Sequence, residues 1–125
     1  MLKYHEYGNG YIVYKSYTIE LDFSINKNVE YKNISLNEFG LLTLKKGFKW
    51  NGCNALPDTK CNLRASAIHD ALYTLIKKHK IDYKYRKQSD KVFRDEWKKD
   101  CNCWYQRYMA NIAYYTLRSF GWIYA

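Results

Sequence analysis

The chain has 125 residues, 47% of them hydrophobic, and a formal net charge of +9. That length suits one domain with a modest core, and the apolar content excludes an intrinsically disordered chain. No apolar run approaches the ~18 residues of a membrane-spanning helix, and the opening "MLKYHEYGNGY" lacks the apolar segment of a secretory signal.

The first half predicts strands. "YIVYK" (11–15) is a short candidate. In "YTIELDFSI" (17–25), Tyr17, Ile19, Leu21, Phe23 and Ile25 alternate with Thr18, Glu20, Asp22 and Ser24. That period of two marks a half-buried strand. "GLLTLKKGFKW" (40–50) is a further candidate. The aperiodic "WNGCNALPDTK" follows and holds the only proline, Pro57, so it reads as the loop joining a β region (1–50) to a helical region (62–121).

Asn62 is placed to cap the first helix, along which Ala65, Ile68, His69, Leu72, Leu75 and Ile76 share one face. A second helix is predicted over about 84–99, with Asp90, Phe93 and Trp97 on one side, and a third from about Trp104 to Ser119, with Gly121 as its stop signal. The fold class is α+β, a small antiparallel sheet followed by a three-helix layer.

Ten of the 21 basic residues fall between Lys77 and Lys99, with acids interspersed. That mixture suits a solvated helical face, while the net charge favours anionic partners. The four cysteines, Cys53, Cys61, Cys101 and Cys103, permit two disulfides. Without an export signal, reduced thiols are expected. Their spacings do not match the paired ligands of a common zinc site. Fourteen tyrosines suit either a core holding a polar cluster or an adhesive surface.

His69 and Asp90 carry the chemistry. Both lie on apolar helix faces, where a carboxylate and an imidazole need partners. If the two helices pack antiparallel, contact between them satisfies both. Asp90 then fixes the tautomer and leaves the second ring nitrogen as a base. Tyr73, four residues after His69, can donate to the same carboxylate, and Asp70 points toward the groove edge. The alternative is a structural His–Asp–Tyr network with no catalytic role.

The segments "GFKWNGCNALPD", "ASAIHDALY", "SDKVFRDEW" and "NIAYYTLRSFG" resemble a family of uncharacterised tailed-bacteriophage proteins over roughly residues 11–121. In that family a G-F-x-x-D-G-[AC]-S-x-P segment precedes helices bearing H-D-x-L-Y and A-D-x-x-F. More distantly, the chain is similar to prokaryotic phospholipase A2. There a D-G-C loop precedes an H-D-x-x-Y helix, and an aspartate lies as far beyond the histidine as Asp90 lies beyond His69. This second resemblance implies an antiparallel helix pair, His69 as general base, Asp90 as its orienter and Tyr73 as a brace. It also implies Asp70 as a calcium ligand, and the backbone of Asn51 and Gly52 at the oxyanion and metal. Asn51 stands where the loop aspartate belongs, Ser89 where the phage family has Ala, and Ser66 where the partner of the cysteine matching Cys53 belongs. The first of these departures predicts weak calcium binding or none, tightened by Asn51→Asp.

Three functions follow. The first is a phage protein with a phospholipase A2-like site acting on an anionic lipid surface. The second is a non-enzymatic virion component, or an inhibitor of a host factor, that keeps the site as scaffold or ligand pocket. The third is a nucleic-acid binder using Lys84, Tyr85, Arg86 and Lys87. The expected location is the host bacterial cytoplasm or the virion.

Overall fold

The computed structural model describes residues 1–52 and 59–120. Strands β1 (Lys3–Tyr7) and β2 (Gly10–Lys15) form a hairpin around Gly8, whose φ of +59° suits glycine. β3 (Tyr17–Glu20), β4 (Val29–Tyr31), β5 (Ile34–Leu36), β6 (Leu41–Leu44) and β7 (Lys49–Trp50) complete the β region. The helices are α1 (Leu63–Lys77), α2 (Arg86–Asp100) and α3 (Trp104–Phe120), with a 3-10 turn at Tyr83–Tyr85 leading into α2.

The predicted α+β class holds, but the strands form two antiparallel sheets. One has the order β1-β2-β7, the other β3-β6-β5-β4. The alternation at 17–25 extends past its hydrogen-bonded strand. β3 ends at Glu20, yet Leu21 and Ile25 are buried and Phe23 half-buried, while Asp22 is exposed. The pattern therefore reports which side chains face the core, whether or not the backbone stays in a ladder. β1, whose side chains are mostly exposed, and the β4–β5 hairpin, whose strands have three residues each, carry too little periodicity to be read from the sequence.

The main core joins both sheets to α1. Val13, Leu36, Leu42 and Leu44 from the strands meet Ile68, Leu72 and Leu75 from the helix. A second cluster of Ala65, Phe93, Trp97, Ala110, Ala113 and Leu117 fills the space among the three helices. Asn62 does not cap α1 with its side chain; its Oδ1 accepts instead from the Thr59 amide at 3.0 Å.

Pairs of side chains show that α1 and α2 run antiparallel. Arg64, at the start of α1, bonds Asp100 at the end of α2 and Glu96 one turn earlier, at 2.9 and 2.8 Å. Further along, His69 and Tyr73 both reach Asp90. The expectation of reduced thiols is overturned for two cysteines. Cys61 and Cys101 form a disulfide with their Cα atoms 5.3 Å apart. Their spacing gave no signal because the antiparallel packing, not the local sequence, brings the entry of α1 to the exit of α2. Cys103 is free and exposed; Cys53, Pro57 and Gly121 lie outside the described residues.

The disulfide links positions 40 apart, so chain-entropy arguments assign it about 3–4 kcal/mol. Thermal melting with reductant is expected to show a midpoint several degrees below that of the oxidised protein. Coincident melting curves would contradict this contribution.

Candidate functional site

The site grows from one buried carboxylate. Asp90 is fully buried on α2, where an unpaired charge costs several kcal/mol. Three donors meet it. His69 Nε2 lies 2.9 Å from Oδ1, the Tyr73 hydroxyl donates to that same oxygen, and Arg118 Nη1 donates to Oδ2 at 3.1 Å. His69 and Tyr73 come from successive turns of α1, so one helix face supplies both. Arg118 comes from the last turn of α3, so Asp90 ties all three helices together.

The arrangement fixes the imidazole. Because Nε2 faces a carboxylate, it carries the ring proton in the neutral tautomer. The ring is held between Tyr73 and Phe93, with centroids 4.0 and 5.1 Å away. Among the described residues Nδ1 has no hydrogen-bond partner, and none of their buried side-chain nitrogens or oxygens lacks one. These residues therefore leave Nδ1 unsealed, with its lone pair uncommitted. Burial, and then the bond to Asp90, push the Tyr73 hydroxyl above its ordinary pKa, so it remains a donor.

The segment leaving β7 is anchored beside this face. Trp50 Nε1 donates to Ser66 Oγ at 3.0 Å, and Ser66 Oγ donates in turn to the Leu63 carbonyl. Ser66 lies one turn before His69, so a buried hydrogen bond holds the loop entry where the resemblance places a cysteine. Asn51 and Gly52 follow immediately, Gly52 with φ +81°. A Cβ on Gly10 would lie 2.4 Å from the Trp50 carbonyl and 2.9 Å from Asn51 Oδ1. Only glycine allows β2 to approach the loop this closely.

Asp70 faces the strands. With Thr74 and Lys78 it lines a groove of about 500 Å³ between α1 and the strands, bounded also by Tyr31, Lys32 and Lys49. Burial pushes its carboxyl above the ordinary range, against the opposing charges of His69 and Lys77. Calcium requires about six to eight hard oxygens and favours several anionic ones. Among the described residues Asp70 is the only acid lining the groove, and the other charged members are lysines. These residues alone offer calcium a single carboxylate.

Two arginines escaped the sequence analysis. Arg118 lies in the "LRSFG" segment, and a cation in the last turn of a helix could have been weighed as the counter-charge a buried Asp90 requires. Arg86, grouped above with nucleic-acid contacts, is instead buried and donates to the Leu117 and Arg118 carbonyls at 3.1 and 3.4 Å. It thus satisfies the end of α3 and holds Arg118 in place. Tyr85 stacks on Phe23, with ring centroids 5.7 Å apart, so two of the four proposed nucleic-acid residues serve the interior.

Two expectations follow. Arg118→Gln removes the counter-charge of a buried carboxylate and is expected to cost about 1–3 kcal/mol; urea denaturation showing no loss would contradict the hub. The folded pKa of Asp70 lies above the ordinary aspartate value of 3.8, so its stabilising contribution is complete below that value and is lost as pH rises through the folded pKa. Asp70→Asn is therefore expected to match the native chain near pH ~3.5 and to exceed it in stability near pH ~7. A constant difference between their urea midpoints across that range would refute the shift. Compared with known proteins, the chain matches no family model, and no curated protein or solved structure is significantly similar to it.

Proposed function

We propose that this is a bacteriophage protein with a phospholipase A2-like hydrolytic site, in which His69 is the general base and an ester of an anionic lipid is the substrate. The observation that carries the proposal is the asymmetry of the His69 ring: Nε2 is anchored by buried Asp90, and Nδ1 is bonded by none of the described residues. A base needs this polarity. Nδ1 takes a proton from water as the water oxygen attacks the ester carbonyl, and the resulting imidazolium faces Asp90. The same nitrogen returns the proton to the leaving alkoxide as the tetrahedral intermediate collapses. The backbone amides at Asn51 and Gly52 are the proposed oxyanion donors, supported by the Trp50–Ser66 anchor just before them. No step is routed through calcium. The net charge of +9 supports an anionic substrate.

One observation favours the second reading, a non-enzymatic virion component or inhibitor of a host factor. Arg118 supplies a full counter-charge to Asp90, so the cluster can stand as structure alone.

The His69→Asn variant separates the two. As a base, His69 contributes about 10²–10⁴-fold to the rate. The variant is expected to lose fatty-acid release from anionic vesicles by that factor while it stays folded. Chelator is expected to leave the native activity intact. Full activity in the variant, or native activity that requires added calcium, would refute the proposed mechanism. No activity in either protein, with a melting temperature lowered by His69→Asn, would favour the scaffold.

A further inference from the structure

We propose that the outward face of α3 docks on an anionic lipid surface. The inward face of this helix is small and apolar, with Ala110, Ala113 and Leu117 against the other helices. The outward face would be polar on an ordinary surface helix. Here it carries Trp104, Tyr108, Ile112 and Tyr115, spaced to form one stripe, with Tyr105 beside them. Trp104 is 78% exposed and Tyr115 66%. An aromatic face this continuous is uncommon on a solvated surface and marks a docking site.

The charges at its edge favour lipid. α3 contains no aspartate or glutamate. Arg107 lies on its flank toward α2, where Lys98 and Arg94 also stand. Burial, and then Arg94 and Arg107, lower the pKa of Lys98 against the opposing charge of Asp95, which pairs with Arg94 at 3.0 Å. Among the described residues the Arg107 guanidinium donates only to Asn102 Oδ1, and Lys98 has no ion pair. Tryptophan and tyrosine combine an apolar ring with a polar tip and concentrate where hydrocarbon meets headgroups. Cations beside such a stripe meet anionic headgroups. A second copy of this chain would bring its own charge of +9 to the same cations. The inference deepens the proposed lipid hydrolysis by supplying the surface that meets the bilayer. Binding is read without turnover, so the two fail separately.

The test uses the full chain with vesicles of phosphatidylcholine alone, or with about a third phosphatidylglycerol. The native protein is expected to sediment with the anionic vesicles at least about tenfold more tightly than with the neutral ones. Its tryptophan emission is expected to shift to shorter wavelength on binding, since Trp50 and Trp97 are already buried, and Trp104→Phe is expected to diminish that shift. Replacing Trp104 and Tyr108 together by Ser is expected to weaken binding to both vesicles. Lys98→Gln with Arg107→Gln is expected to remove the preference for anionic lipid. Absence of vesicle binding by the native protein would overturn the proposal. So would native-like binding by the serine variant, or self-association that this variant abolishes while vesicles bind neither protein.

Discussion

A single carboxylate sets the terms for the helical half of this protein. Asp90 is enclosed on α2 with no access to water, so its charge must be met from within. His69 and Tyr73 from α1 and Arg118 from α3 meet it. Each donor fixes a register: α1 cannot slide along α2, and α3 cannot rotate against it, without stripping a partner from a buried charge. Apolar packing around Phe93 and Trp97 brings the helices together, and the carboxylate selects one arrangement among the many that such packing tolerates. Arg86 extends the same logic, because its bonds to the carbonyls at the end of α3 fix the backbone that presents Arg118.

The same constraint connects fold to chemistry. A histidine on an apolar helix face could have been sealed at both ring nitrogens, but here one nitrogen is spent on the carboxylate and none of the described residues bonds the other. The Trp50–Ser66 bond brings the loop entry to the neighbouring turn. Asp70, the next residue along α1, points about 100° away from His69 and lines a groove with Thr74 and Lys78. The histidine side carries a carboxylate and a tyrosine as partners, while Asp70 faces a groove lined by lysines.

What the sequence made legible follows from which interactions are periodic. The three helices and the contact between His69 and Asp90 could be read because burial on a helix recurs along the chain and both polar residues fell on apolar faces. Tyr73 followed from the same spacing. Arg118 did not, since its role depends on where α3 crosses α2. The Cys61–Cys101 bond escaped for a related reason: its partners are neighbours only after α1 and α2 have packed. Arg86 and Tyr85 looked like surface residues in a basic run, and only the fold shows that one closes a helix end and the other stacks on Phe23. Charge runs report composition, whereas burial decides which members of the run are available to a partner.

Asp90 holds His69 in one tautomer, with the proton on Nε2 and the lone pair of Nδ1 uncommitted. Nitrogen-15 NMR of the labelled imidazole reads this directly, without a substrate. At a pH where the ring is neutral, a protonated Nε2 that exchanges slowly with water and an unprotonated Nδ1 are expected. Replacing Arg118 should perturb the Nε2 resonance through the shared carboxylate. A ring with its proton on Nδ1, or one averaging rapidly between both tautomers, would show that Asp90 does not fix the imidazole.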